Sequence, residues 1–142
     1  MAAMGRFAVG LGVLVAACAT AQEASDHEAP SFVRHADYAG AGGITGVNHE
    51  VVWQAACRAM AWEGGLIRVD SRIHRVGLDD VMEVDVVPYP DGSTGIFFVA
   101  DTSRGGDFTP EIFWCRFHQA LEILKSGKPL PLDPPPLPAG KT

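Results

Sequence analysis

The chain has 142 residues, of which 47% are hydrophobic, and carries a formal net charge of −6. That length suits a single domain, and the apolar fraction is that of a globular protein rather than a disordered one. The 11 Lys and Arg residues are scattered and outnumbered by 17 Asp and Glu. Phosphate neutralisation needs clustered cations, so nucleic acid is excluded as an expected partner. An anionic membrane surface would repel such a domain unless a separate anchor held it.

The N-terminus carries the strongest signal. Met1 to Arg6 holds one cation, and Phe7 to Ala17 is an unbroken apolar or small run. The run is too short for a bilayer, which takes about 20 residues, and has the length of a secretory h-region. Residues 1–17 therefore read as a signal peptide. Val15-Ala16-Ala17-Cys18 resembles a bacterial lipobox, which would make Cys18 the lipidated first residue. Ala19-Thr20-Ala21 instead resembles an ordinary small-x-small cleavage site, and both readings stand. With lipid on Cys18 the expected address is the periplasmic face of the outer membrane, Ala19 being no retention signal; without it, the periplasm. Residues 18–43, polar and ending in Gly40-Ala41-Gly42-Gly43, read as a flexible tether, although Phe32, Val33 and Tyr38 could dock on the domain.

Residues 44–127 form the expected folding unit. Ile44 to Val47 is a candidate short strand. Asn48 can cap a helix running from His49 to about Glu63, with Val52, Ala55, Ala56, Ala59 and Trp62 on one side and Gly64-Gly65 ending it. Leu66 to Asp70 alternates as a strand, with a turn at Ser71-Arg72 and a continuation at Ile73 to Val76. Val81 to Val87 alternates Met82, Val84 and Val86 with Glu83 and Asp85, a half-buried strand with one wet face. Pro88 stops it, Tyr89 to Ser93 turns, and Gly95 to Asp101 returns as an apolar strand. Thr109-Pro110-Glu111 opens a second helix whose face is Phe113, Phe117, Ala120, Leu121 and Leu124, closed by Gly127. The expected class is α+β: a small antiparallel sheet of three to four strands, both helices on one face, in the order (β)αβββα. Residues 128–142, with prolines at 129, 131, 134, 135, 136 and 138, form a tail favouring polyproline II geometry.

Candidate chemistry is sparse. Cys57 and Cys115 lie on the two helices, and whether they are bridged stays open. The five His residues, 27, 35, 49, 74 and 118, show no metal-ligand spacing, so no metal or cofactor is expected. Glu83 and Asp85 could serve as a hydrolytic pair or simply solubilise an exposed face. The loop from Asp101 to Asp107 contains Ser103, Arg104, Gly106 and Asp107. Its backbone could hold an anion with Arg104 assisting, or Arg104 could pair with Asp101, Asp107 or Glu111 in a structural role. Phe97, Phe98, Phe113, Trp114 and Phe117 could line an apolar pocket or be the core.

Asp79-Asp80-Val81, the strand pair, Ser103-Arg104 with Gly106, and the closing helix resemble the domain-of-unknown-function family numbered fourteen ninety-nine, over roughly Val52 to Leu124. The helix, three strands and helix also look like small helix-grip domains of envelope lipoproteins. Both resemblances point towards the cell envelope, and neither implies an enzyme. The expected function is that of a lipid-anchored binding or accessory module with an envelope protein as partner. The alternative is a soluble periplasmic carrier of a small apolar ligand.

Overall fold

The computed structural model of the protein describes residues 30–104 and 106–139. The signal peptide, Cys18 and most of the expected tether lie outside the described residues, as do Gly105 and the last three residues of the tail. Contacts divide the chain into Met1–Ser31, of which only residues 30 and 31 are described, and Phe32–Thr142, to which everything below belongs.

Seven elements follow one another: β1 (Tyr38–Ile44), α1 (His49–Ala61), β2 (Ile67–Asp70), β3 (Arg75–Leu78), β4 (Met82–Pro88), β5 (Thr94–Ala100) and α2 (Pro110–Lys125). The five strands form one antiparallel sheet in the spatial order β1-β5-β4-β3-β2. The class is α+β, with the order βαββββα.

The helices begin as the sequence predicts. Asn48 accepts the Glu50 amide through its side chain at 2.8 Å, satisfying one of the orphan donors at the start of α1. Thr109 does the same for Ile112 at 3.2 Å, with Pro110 at the first helical position of α2. In α1, Val52, Ala55, Ala56, Ala59 and Met60 are fully buried, and the alanines allow close approach to the sheet. On the sheet, Val76, Val84, Val86, Ile96 and Phe98 point to the same side as the helices. Phe98 stacks on Phe113 with ring centroids 4.7 Å apart, so α2 covers β5.

The opposite face is also partly covered. Phe32 lies on Gly77, where a Cβ would come within 2.7 Å of its ring. Its amide donates to Glu83 Oε1 at 2.7 Å, and the Arg68 guanidinium stacks over its ring at 4.3 Å. Val33 beside it is buried. The docking expected of Phe32 and Val33 is therefore present, and Tyr38 opens a strand.

The sheet has five strands where three to four were expected, and two local events explain the difference. Tyr38 to Ile44, read mostly as tether, pairs along its whole length with β5, from Tyr38 opposite Ala100 to Ile44 opposite Thr94. Backbone pairing outweighs the poor strand propensity of glycine here because β5 offers a complete, already fixed ladder. Secondly, Ile73 to Val76 is no continuation. The chain reverses between Asp70 and Arg75, and β3 pairs back on β2. Asp70 Oδ1 accepts the Arg72 amide at 3.1 Å, and His74 takes a positive φ of 53°, so the turn forms without glycine or proline.

Candidate functional site

The sheet's two edges are β2 and β1, and β1 is the unguarded one. Its sequence, Tyr-Ala-Gly-Ala-Gly-Gly-Ile, has no charge and no proline. Natural edge strands usually carry such devices to prevent pairing with other chains. Among the described residues, no strand pairs with β1 on the side away from β5.

Beside that edge, between β1 and α2, lies a cavity of about 200 Å³ lined by Ala41, Gly42, Gly43, Ile44, Ile96, Trp114, Phe117 and His118. Its origin is a mismatch of side-chain size. The glycines of β1 leave space that Trp114 only partly fills: a Cβ on Gly42 would stand 3.7 Å from the Trp114 ring. Trp114 is held edge-on by Phe113 and Phe117, at 5.2 and 6.2 Å between centroids, so the wall is rigid. His118 packs against Phe117 at 5.3 Å and is exposed, setting the one titratable group at the mouth.

Of the five aromatics weighed as pocket lining or core, Trp114 and Phe117 line the cavity. Phe98 and Phe113 are core, and Phe97 faces the other side of the sheet, 42% exposed. The small residues of β1 and His118 were missed as lining residues. Their one sequence signal was the absence of any charge between Tyr38 and Val47, which reads equally well as a linker.

The acidic strand is committed elsewhere. Arg75 reaches Asp85 with two parallel bonds, Nε to Oδ1 at 2.6 Å and Nη2 to Oδ2 at 2.9 Å, and lies 3.4 Å from Glu83 Oε2. The fork geometry matches a carboxylate bidentately. The Arg75 and Glu83 side chains are each only 6% exposed, beneath Phe32. The Asp85 bonds hold the Arg75 proton more tightly than usual. Both carboxylates are thus locked to one guanidinium rather than facing a cleft.

The loop before α2 is pinned by carboxylates. Asp101 Oδ1 accepts the Ser103 hydroxyl at 2.6 Å and the Ser103 amide at 3.2 Å. Asp37 accepts the Thr102 amide and hydroxyl, each at 2.8 Å, which lowers the Asp37 pKa. Arg104 pairs with Asp80 at 2.8 Å, across from the loop rather than within it, and that bond lowers the Asp80 pKa. Gly106 takes a φ of 59°, and Asp107 is exposed. The amides of Thr102 and Ser103 are therefore occupied by the protein's own anions.

His49 and His74 form a contact that sequence reading did not anticipate. His49 Nε2 and His74 Nδ1 stand 2.7 Å apart, and His74 stacks on Trp53 at 4.8 Å. His49 Nδ1 is buried with no hydrogen-bond partner among the described residues. A bare lone pair there is cheaper than an orphaned N–H, so Nε2–H donates to His74. Burial, then the neighbouring His74, lowers the His49 pKa. Cys57 and Cys115 are free thiols, and burial pushes Cys57 up to about 12. Among the described residues, no three His, Cys, Asp or Glu side chains come together as a metal set, and no helix is long and apolar enough to cross a membrane. Comparison with known proteins returned no matching family model, no matching curated protein and no matching solved structure.

Proposed function

We propose that the protein is a non-catalytic binding module of the cell envelope, exported by residues 1–17 and held at the membrane by lipid on Cys18. Its ligand is an extended segment of an envelope protein that adds to the free edge of β1 and places one apolar side chain in the cavity under Trp114. The observation that carries this reading is the conjunction of an uncharged strand edge with a half-open cavity beside it, walled by the Trp114 and Phe117 rings and by β1 backbone. Strand addition draws affinity from main-chain hydrogen bonds and specificity from pockets for alternate side chains. The small side chains of β1 let a second backbone approach closely. The apolar run Phe7 to Ala17 followed directly by Cys18 supports the envelope address.

The Trp114 and Phe117 rings in the wall also favour a second reading, a carrier of a small apolar ligand. Size weighs against it. Pockets for free organic ligands span about 300–1,000 Å³, whereas this cavity holds about 200 Å³. The volume suits one side chain delivered on a strand better than a free lipid.

The test is a photo-crosslinking residue placed at position 41 of the full chain in a bacterial envelope, with position 72, on the exposed β2–β3 turn, as control. An adduct with one recurrent peptide of another protein, at 41 and not at 72, is expected. A small apolar molecule at 41 would shift the reading to the carrier. Equal labelling at both positions would overturn both.

A further inference from the structure

The proline-rich tail lies against the two helices, whose side chains donate to its carbonyls. Arg58 Nη1 on α1 and Trp62 Nε1 at its C-cap both donate to the Pro131 carbonyl, at 2.9 and 3.2 Å. Arg116 and Gln119, three apart on α2, donate to the Pro135 and Pro136 carbonyls, Gln119 at 2.9 Å. Arg116 is aimed by its neighbours: Glu63 Oε2 lies 3.4 Å from its Nε, and Gln119 Oε1 accepts from its Nη1 at 3.2 Å. These donors form two stations along one groove.

Leu130 packs on the core and Pro134, Pro135 and Leu137 are half-buried, whereas Leu132 is 85% exposed and Pro131, Asp133 and Pro136 are also exposed. The tail bends at Leu132 and Asp133, and the prolines on either side of the bend supply acceptors without donors. Indole and guanidinium donors facing such carbonyls recognise the shape of the backbone, not a particular side-chain sequence. What the groove reads in residues 131–136 is therefore available from any proline-rich segment of the same geometry.

We propose that the α1–α2 groove is a recognition surface for a proline-rich segment of a partner protein, occupied in this chain by residues 130–136 as an internal competitor. The site is separate from the β1 edge and does not depend on it. The tail enters through the short turn Ser126–Pro129, where Gly127 has a φ of 81°. A ligand tethered so closely acts at an effective concentration in the millimolar range. A partner must therefore present its segment at high local concentration, as a neighbour confined to the same membrane would.

The test uses the full chain carrying Cys18→Ser and a synthetic peptide of residues 128–139, followed through the three Trp indole N–H resonances. In a variant with Pro129→Gly and Pro131→Gly as well as Pro134→Gly, Pro135→Gly and Pro136→Gly, which loosens the segment whose Pro131 carbonyl Trp62 bonds, the Trp62 resonance should move while those of Trp53 and Trp114 stay. Added peptide should return it to its original position with saturation. The unaltered tail should require at least tenfold more peptide, and Arg116→Lys should weaken the return without moving Trp53. A peptide with alanine at every proline should have no effect. Three results would overturn the proposal: a Trp62 resonance indifferent to the glycine substitutions, no return with peptide in the millimolar range, or a dimer by light scattering whose tails exchange between copies in place of peptide binding.

Discussion

Replacing Arg75 by Met would leave Glu83 and Asp85 next to each other on the sheet without the guanidinium that pairs with both. The Glu83 side chain is 6% exposed and that of Asp85 18%, so solvent screening of the pair is weak. Removing one partner of a buried ion pair costs about 3–5 kcal/mol, chiefly because the abandoned charge stays desolvated. Phe32 also loses one of the two guanidinium groups near its ring, Arg75 standing at 5.8 Å. For a domain of this size, each kcal/mol shifts Tm by about 4 °C or more. Arg75→Met should therefore lower Tm by at least about 12 °C, with a parallel fall in the urea midpoint. Adding Glu83→Gln and Asp85→Leu should recover most of the loss, since a neutral cluster of similar volume leaves no charge stranded. A loss below about 1 kcal/mol for Arg75→Met alone is the size of a surface pair and would refute the burial argument.

Four further outcomes follow from the site and its surroundings. The His49 pKa lies below its ordinary value of 6.5 in the folded chain, so the unfolded chain binds more protons as pH falls through that value. The melting temperature should therefore drop as pH is lowered from about 7.5 towards 5.5. His49→Gln should flatten that slope; an unchanged slope would place the titration elsewhere. Asp37, Asp80 and Asp91, the last held low by the Ser93 hydroxyl and amide bonded to its Oδ1, act in a separate window, their stabilisation being lost as pH falls below about 4. Cys57, pushed up to about 12, should resist iodoacetamide at pH 8 in the native protein and react on unfolding, because the thiolate is the nucleophile. Gly42→Ala should leave stability within about 0.5 kcal/mol, its Cβ meeting Trp114 at an ordinary 3.7 Å, while reducing crosslinking from position 41. Full crosslinking in that variant would mean that the cavity takes no part in binding.

Much of the α+β framework was readable from local chemistry. Asn48 and Thr109 mark the helix starts because their side chains compete for backbone amides wherever they stand. The alternation of Met82, Val84 and Val86 with Glu83 and Asp85 gives a face as well as a strand. The candidate site was not readable, for a physical reason. Gly40 to Gly43 carries almost no side-chain information, and its strand state comes from the ladder offered by β5, far along the chain. The cavity is a difference between Trp114 on one element and glycines on another, a quantity present in neither segment alone. The tail shows the same limit. Its prolines announce an extended form, but the Arg58, Trp62, Arg116 and Gln119 donors that hold it are spread over two helices.

The most direct test of the central claim is amide hydrogen exchange over residues 38–44, compared between the purified full chain and the same chain in intact envelopes. Amides on the free edge of β1 should exchange readily in the purified protein and become protected in the envelope, with β4 and β5 unchanged. Equal exchange in the two settings would contradict strand addition at β1 and remove the basis for the proposed binding function.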